Sequence, residues 1–314
     1  MEQRQLLDGE AYVLREDMAA LEITGEDAKK WLHSLTSQNI LNLLPGESTE
    51  ALLLSPNGHI EFQLKVIATD AGLLVITPRE SAAALQGWLA KMVFRSRVAV
   101  SISESLVIGA FRDLGIDAPC WIDPFDTESK GGVRYSKSRS AFPYREYVTD
   151  STPALARAGL MAYQALRIAV GRPELSDVDE RTLPHELDWL SSAVHMSKGC
   201  YRGQETVAKV HNLGHPPRRI AILNLEQGDV ICQPGDEVSY QGKSVGKVLA
   251  GALHFEEGSI ALALLSRNTP YLELEIAVGE NRYSASQTVL VPHDAGKAAK
   301  LPRPAAFKLS GRRV

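Results

Sequence analysis

Lys198-Gly199-Cys200-Tyr201-Arg202-Gly203-Gln204-Glu205 packs cations, a thiol, a phenol, an amide and a carboxylate around two glycines. A core strand would want apolar alternation and an exposed helix would not want two glycines. Glycines bracketing polar groups suit backbone that turns sharply or lets a ligand approach closely. Lys198 and Arg202 flank Cys200, and nearby positive charge favours a thiolate. A lone free cysteine is more often a small buried hydrophobe. Both readings of Cys200 stay open at this point.

Downstream of this stretch, Pro216-Pro217 marks a change of texture. Arg219 to Leu225, Glu237 to Tyr240, Ser244 to Ala252, Ile260 to Leu265, Leu272 to Val278 and Thr288 to Val291 read as short strands between glycine and polar turns. Such regular short strands predict a small barrel or sandwich over 217–292. From Ala295 onward the chain carries Lys297, Lys300, Arg303, Lys308, Arg312 and Arg313. Residues 293–314 therefore read as a basic, flexible tail.

Upstream, Thr24 is placed to cap a helix with Asp27 reaching back. Ala28, Trp31, Leu32 and Leu35 then share one face at helical spacing. Two strand-like runs, 51–55 and 59–67, are joined by Pro56-Asn57-Gly58, a hairpin signal. A third strand at 73–77 leads to a helix from about Ser81, burying Leu85, Trp88, Leu89 and Met92. Strands return at 97–102 and 106–110. Residues 123–150 read as a solvated loop, and Ser151-Thr152-Pro153 as the opening of a helix that Gly171-Arg172-Pro173 stops. The order predicts an α+β layer of mostly antiparallel sheet with helices.

At 314 residues the chain should hold two or three domains. Apolar residues make up 44% and charged residues 23%, the balance of a soluble globular protein. A net charge of -4 argues against a protein that coats nucleic acid. No apolar run is long enough to span a bilayer, and the polar start Met1-Glu2-Gln3-Arg4-Gln5 is unlike a signal peptide. Three widely spaced cysteines, Cys120, Cys200 and Cys232, do not form a disulfide framework, so a cytoplasmic location is expected. His195, Cys200, His211 and His215 match no zinc spacing, and no metal is expected.

The stretch 198–205 resembles the signature of the YgfZ family, the folate-binding relatives of the glycine-cleavage T-protein. Leu35-Thr36-Ser37-Gln38-Asn39 with the following hairpin, and Arg167-Ile168, Gly171, Pro173, Pro184 and Glu186, are similar to that family too. Ala169 stands where many relatives have a glutamate. The resemblance implies a T-protein-like folate-binding region over 1–216, split near 110–150, followed by the β-barrel. It also implies tetrahydrofolate or a derivative as cofactor. The implied role is assembly or repair of iron–sulfur clusters in client enzymes, in partnership with those enzymes or with cluster-assembly proteins, and alongside tRNA modification. The aspartate that T-proteins need on the hairpin falls here on Phe62 or Gln63, and neither is a carboxylate.

On the resemblance, Glu186 is the candidate to accept the paired N–H groups of a pterin, as a bidentate carboxylate can. Trp189 and Tyr201 are the nearest rings for stacking, and Arg202, Arg218 and Arg219 are available for a folate tail. Gln204 and Glu205 complete the expected binding set. Cys200, with Lys198 favouring its thiolate, is the expected reactive centre, with His195 or His211 as a base if the cysteine is a nucleophile. Two further functions stay open: a folate-dependent aminomethyl- or methyltransferase, and a noncatalytic RNA- or protein-binding factor using the basic tail.

Overall fold

The computed structural model describes residues 1–127, 129–137, 139–227 and 229–299. Most of the basic tail, 300–314, lies outside the described residues. The helices and strands run in the order α1 (Glu2–Asp8), β1 (Ala11–Leu14), β2 (Met18–Thr24), α2 (Ala28–Leu35), β3 (Ser48–Leu54), β4 (Ile60–Thr69), β5 (Gly72–Pro78) and α3 (Arg79–Lys91). Then come β6 (Ala99–Ile102), β7 (Leu106–Ala110), β8 (Cys120–Ile122), β9 (Arg145–Thr149), β10 (Ala156–Ala158), α4 (Leu160–Ala169) and α5 (Gln204–Leu213). Between α4 and α5 lie two 3-10 turns, Leu175–Asp177 and Pro184–Leu187.

Five antiparallel strands form the first sheet, in the order β3-β4-β5-β2-β6. Its alternation sends Leu21, Ile23, Leu53, Leu64, Val66 and Val75 to one face, where Ala28, Trp31 and Leu32 of α2 and Ala82, Leu85 and Leu89 of α3 cover them. Truncating such a core leucine to alanine costs about 2–5 kcal/mol. The opposite face presents Met18, Ala20, Ile67 and Ile76 to a second sheet, ordered β10-β1-β7-β9-β8. The expected cap at Thr24 is not formed. Thr24 ends β2, and Asp27 instead accepts the backbone N–H of Arg97 at 2.8 Å.

The stretch expected to be a solvated loop is partly interior. Phe125, Phe142, Tyr144 and Glu146 are all buried, and β9 is the fourth strand of the second sheet. Aromatic packing between Phe111, Phe142 and Tyr144, with ring centres 5.1–5.5 Å apart, is the reason a segment without clear periodicity still folds inward. Ser151-Thr152-Pro153 does not open the helix either. Residues 156–158 pair in parallel with β1, and the helix starts at Leu160.

The C-terminal strands β11 (Arg218–Leu225), β12 (Glu237–Tyr240), β13 (Lys243–His254), β14 (Gly258–Ser266), β15 (Leu274–Val278) and β16 (Asn281–Val289) close into a barrel. The barrel seats on α4 through Gly171, whose φ is 72°. A Cβ there would lie 2.2 Å from Leu290 Cδ1, so both the turn and the close approach require glycine. The described start of the tail is docked rather than loose: Ala295 is buried, and Ala298 and Ala299 donate to the carbonyls of His211 and Asn212. A shared core of Leu52, Ile60, Ile168, Trp189, Tyr201, Ile220 and Leu262 ties sheet, helix and barrel together.

Candidate functional site

The stretch 198–205 folds as a clasp. Lys198 is buried, and its ammonium donates to the carbonyls of His33, Thr36 and, at 3.0 Å, Gln38. It therefore caps the C-terminal end of α2, where carbonyls lack partners and a cation is favoured. Burial pulls the Lys198 ammonium down to about 8. Tyr201 lies in the shared core, 5.4 Å from Lys198 Nζ at its ring centre. Gly203, with φ 83°, opens α5, and a Cβ on it would lie 2.5 Å from the Ser55 carbonyl oxygen. A Cβ on Gly58 would in turn lie 2.9 Å from Thr206. The clasp and the Asn57-Gly58 hairpin thus fit each other through two glycines.

The remaining side chains of this stretch divide. Arg202 pairs with Glu61 at 2.8 Å and reaches over Trp88. Gln204 donates to the Lys198 carbonyl at 3.2 Å, while Glu205 is exposed in the first turn of α5. Cys200 is exposed, and among the described residues its thiol has no hydrogen-bond partner. Among the described residues, neither imidazole named as a possible base hydrogen-bonds to Cys200, and the His195 Nδ1 is buried without a hydrogen-bond partner. His211 Nδ1 is 2.9 Å from the Tyr135 hydroxyl, and the His195 ring lies against Gly131, where a Cβ would come within 2.6 Å.

Glu186 is also committed. It is fully buried, its Oε2 accepts the Leu183 N–H at 3.0 Å, and Arg218 grips both oxygens at 3.0 and 2.8 Å. The same guanidinium holds Asp179 at 2.6 Å and keeps that carboxyl well below its usual range. Glu186 therefore pins the Pro184–Leu187 turn to the barrel rather than facing open space. Trp189 is a core side chain. Arg219 is buried in the barrel against Tyr271, donating to the Thr269 carbonyl at 3.0 Å and to Gln287 at 2.8 Å. The structure does not gather the expected pterin, stacking and tail contacts around one cavity.

Open space lies instead beside α4 and the Leu175–Asp177 turn. A cavity of about 700 Å³ is walled by Met161, Gln164, Arg167, Ser176 and Asp177, by barrel residues 249–253 and by Cys232. A second, of about 550 Å³, is walled by Asp17, Met18, Gln63, Arg79, Leu160, Gln164, Glu174 and Ser176. Gln164 and Ser176 line both. Cavities of this size are typical of small-molecule sites.

Behind the second cavity runs a buried ionic network between the two sheets. Arg15 binds Asp17 at 2.8 Å, Glu146 at 2.7 Å and Glu174 at 2.9 Å, and Lys65 binds Glu146 at 2.7 Å. Tyr163 donates to Glu174 at 2.8 Å. Burial would raise the Glu174 carboxyl, but the charges of Arg15, Arg167 and Lys65 win and hold it well below the carboxylate range. Arg167 is bound by Asp177 at 2.8 Å. Gln63 sits on the cavity side of β4, and Phe62 packs toward the helices. Both ends of the Gln63 amide are taken: it donates to Glu50 at 2.6 Å and accepts from the Leu175 N–H at 3.1 Å.

Sequence reasoning missed Asp17, Arg79, Gln164, Glu174, Ser176 and Asp177. Glu174 and Asp177 carry one legible signal, an acid–x–x–acid spacing after Pro173, which forms a capping box on the 3-10 turn. Cys232, in the first cavity, was counted but given no role. Burial pushes its thiol up to about 11, so it is an inert wall residue near neutral pH.

With this geometry in hand, comparison with known proteins is informative. The solved structure of glycine cleavage system aminomethyltransferase T from Bartonella henselae superposes with a TM-score of 0.71, covering 95% of this chain and 89% of that one, at 14% identity. The tRNA-modifying protein YgfZ of Vibrio atlanticus is 24% identical over 229 residues, 68% of this chain and 70% of the relative. The mitochondrial iron-sulfur cluster assembly factor IBA57 of Mus musculus is 32% identical over 169 residues, 50% of this chain and 45% of the relative. In sequence the chain is thus similar to YgfZ proteins and to aminomethyltransferases, and it has the aminomethyltransferase fold. No family model matches the chain. The superfamily fold, mostly antiparallel sheets with helices and a closed C-terminal barrel, is the one observed. Among the described residues, no helix is long and apolar enough to cross a membrane.

Proposed function

We propose that this protein binds a reduced folate in the adjoining cavities beside α4 and supports assembly or repair of iron–sulfur clusters in client enzymes, without transferring an aminomethyl group. The observation that carries the reading is Gln63. It is one of the two positions, with Phe62, on which the aspartate of the aminomethyltransferase resemblance falls; it lines the cavity, and its amide is tied at both ends. An amide neither takes up a proton near neutral pH nor stabilises a developing cation as a carboxylate does.

The residues present fit a folate. A pterin presents neighbouring N–H donors, and Asp17 and Glu174 are carboxylate acceptors in the cavity wall. Met161, Leu249 and Leu253 offer apolar surface for the rest of the ligand. Among the described residues no aromatic side chain lines either cavity, so ring faces would pack on Met18, Leu160 and Met161. When bound, a reduced folate supplies one-carbon or electron-donating chemistry. The protein's part is to hold the ring on fixed carboxylates, with Arg15 and Lys65 keeping Glu174 ionised as an acceptor. The relatives named for tRNA modification and for cluster assembly support a role in iron–sulfur metabolism.

The exposed Cys200 is the group available to a protein partner, and the cavity is the place for the cofactor. The test is complementation. In cells lacking this protein, the activity of an iron–sulfur enzyme should be restored by the wild type and not by Cys200→Ala. Restoration by Cys200→Ala would remove the thiol from the account. Release of a one-carbon unit from a methylene-bearing amine in the presence of tetrahydrofolate would favour the transferase reading instead.

A further inference from the structure

We infer that the site selects a folate with a short anionic tail, a monoglutamate, over the polyglutamate forms. This rests on the reading that the cavities beside α4 receive a reduced folate. The two linings together carry six side-chain carboxylates, Glu2, Glu16, Asp17, Glu80, Glu174 and Asp177, against two guanidinium groups, Arg79 and Arg167.

The two arginines are not equally available. Arg167 is fully buried, bound to Asp177 at 2.8 and 3.3 Å, to Gln164 at 2.5 Å and to the Arg172 carbonyl at 3.0 Å. It has nothing left for a tail. Arg79 is exposed at the mouth and spends its Nε–H on the Glu16 carbonyl at 2.7 Å, leaving its terminal nitrogens. Behind the wall, Arg15 and Lys65 are divided among Asp17, Glu146 and Glu174 and are buried. Arg157 lies at 3.1 Å from Glu16, where it offsets one of the acids.

The arginines expected from sequence to meet the tail are spoken for elsewhere: Arg202 by Glu61, Arg218 by Asp179 and Glu186, and Arg219 inside the barrel. A folate tail with one glutamate brings two carboxylates, and Arg79 can meet one of them bidentately while the other stays in water. Each further glutamate adds a charge that meets Glu16 and Glu80, and among the described residues neither lining offers a lysine or an arginine besides Arg79 and Arg167. Like charges placed together discriminate against a ligand more effectively than added contacts favour its rival.

Calorimetric titration of the full chain at low salt, with tetrahydrofolate carrying one or three glutamates, tests this. The monoglutamate should bind about five-fold or more tighter than the triglutamate. Raising the salt to about 0.5 M should shrink that gap. Glu16→Lys with Glu80→Lys, both at exposed positions, should reverse the order, tightening the triglutamate more than the monoglutamate. Equal or tighter triglutamate binding by the wild type at low salt overturns the inference and leaves the folate reading intact. A gap that persists unchanged in the double variant also overturns it, because the discrimination would then not come from these acids. Failure of both forms to bind would bring down the folate reading and this inference with it.

Discussion

The clasp at 198–205 and the cavity wall at 160–177 are both rich in polar side chains, yet they spend them in opposite ways. In the clasp, Lys198 closes the end of α2, Tyr201 enters the core, Arg202 pairs with Glu61, and Gly203 lets the chain pass the hairpin. Only Cys200 and Glu205 are left facing solvent. In the wall, Glu174 and Asp177 are fixed from behind by Arg15 and Arg167 but still line open space. A dense polar motif thus marks a junction that must be built one way, whereas the space for a ligand is assembled from residues scattered along the chain.

The sharpest way to break this comparison is through Arg15. Arg15→Met leaves Glu146 and Glu174 buried without their main partner, and should cost about 3–5 kcal/mol of stability in urea denaturation. If Lys198→Met costs as much, the clasp and the ionic network are of equal weight and the contrast fails. Next in size, Gly203→Ala forces a side chain into a left-handed backbone against the Ser55 carbonyl, and should cost about 1–3 kcal/mol by the same measurement. A neutral result would mean that the clasp does not need its close approach.

A smaller effect follows from Glu174. Its folded carboxyl titrates below the ordinary 4.5, so as pH falls through that value the unfolded chain takes up a proton that the folded chain refuses. Stability from this group is present above about 4.5 and is lost on acidification, by at most about 1.4 kcal/mol per pH unit. Unfolding midpoints of Glu174→Gln between pH 6 and pH 4 should fall less steeply than those of the wild type. Equal slopes would show that the cations do not hold Glu174 ionised. Smallest of all, Cys200→Ser should leave the unfolding midpoint unchanged, since the thiol is exposed and makes no hydrogen bond among the described residues.

What was legible in the sequence follows from this contrast. The first sheet and the barrel announce themselves by alternation, by Asn57-Gly58 and by regular turns, because each buries a side chain at every second residue. The second sheet did so less, because β8 and β10 have three residues each and Glu146 of β9 occupies an interior position where an apolar residue is expected. The resemblance to YgfZ proteins was legible from a motif. The cavity was not, because its wall joins Asp17, Gln63, Arg79, Gln164 and Ser176, residues that only the fold brings together. Glu186 illustrates the gap: the right residue type in a matched motif, already held by an arginine that spacing could not assign to it.

The measurement that bears most directly on the central claim is calorimetric titration of tetrahydrofolate into the wild type, Cys200→Ala and Ser176→Trp. Ser176 is exposed and lines both cavities, so a tryptophan there fills the space without disturbing the core. The account predicts binding to the wild type and to Cys200→Ala with similar affinity, and its loss in a folded Ser176→Trp. Binding that survives in Ser176→Trp and vanishes in Cys200→Ala would contradict it, and would return the folate to the clasp.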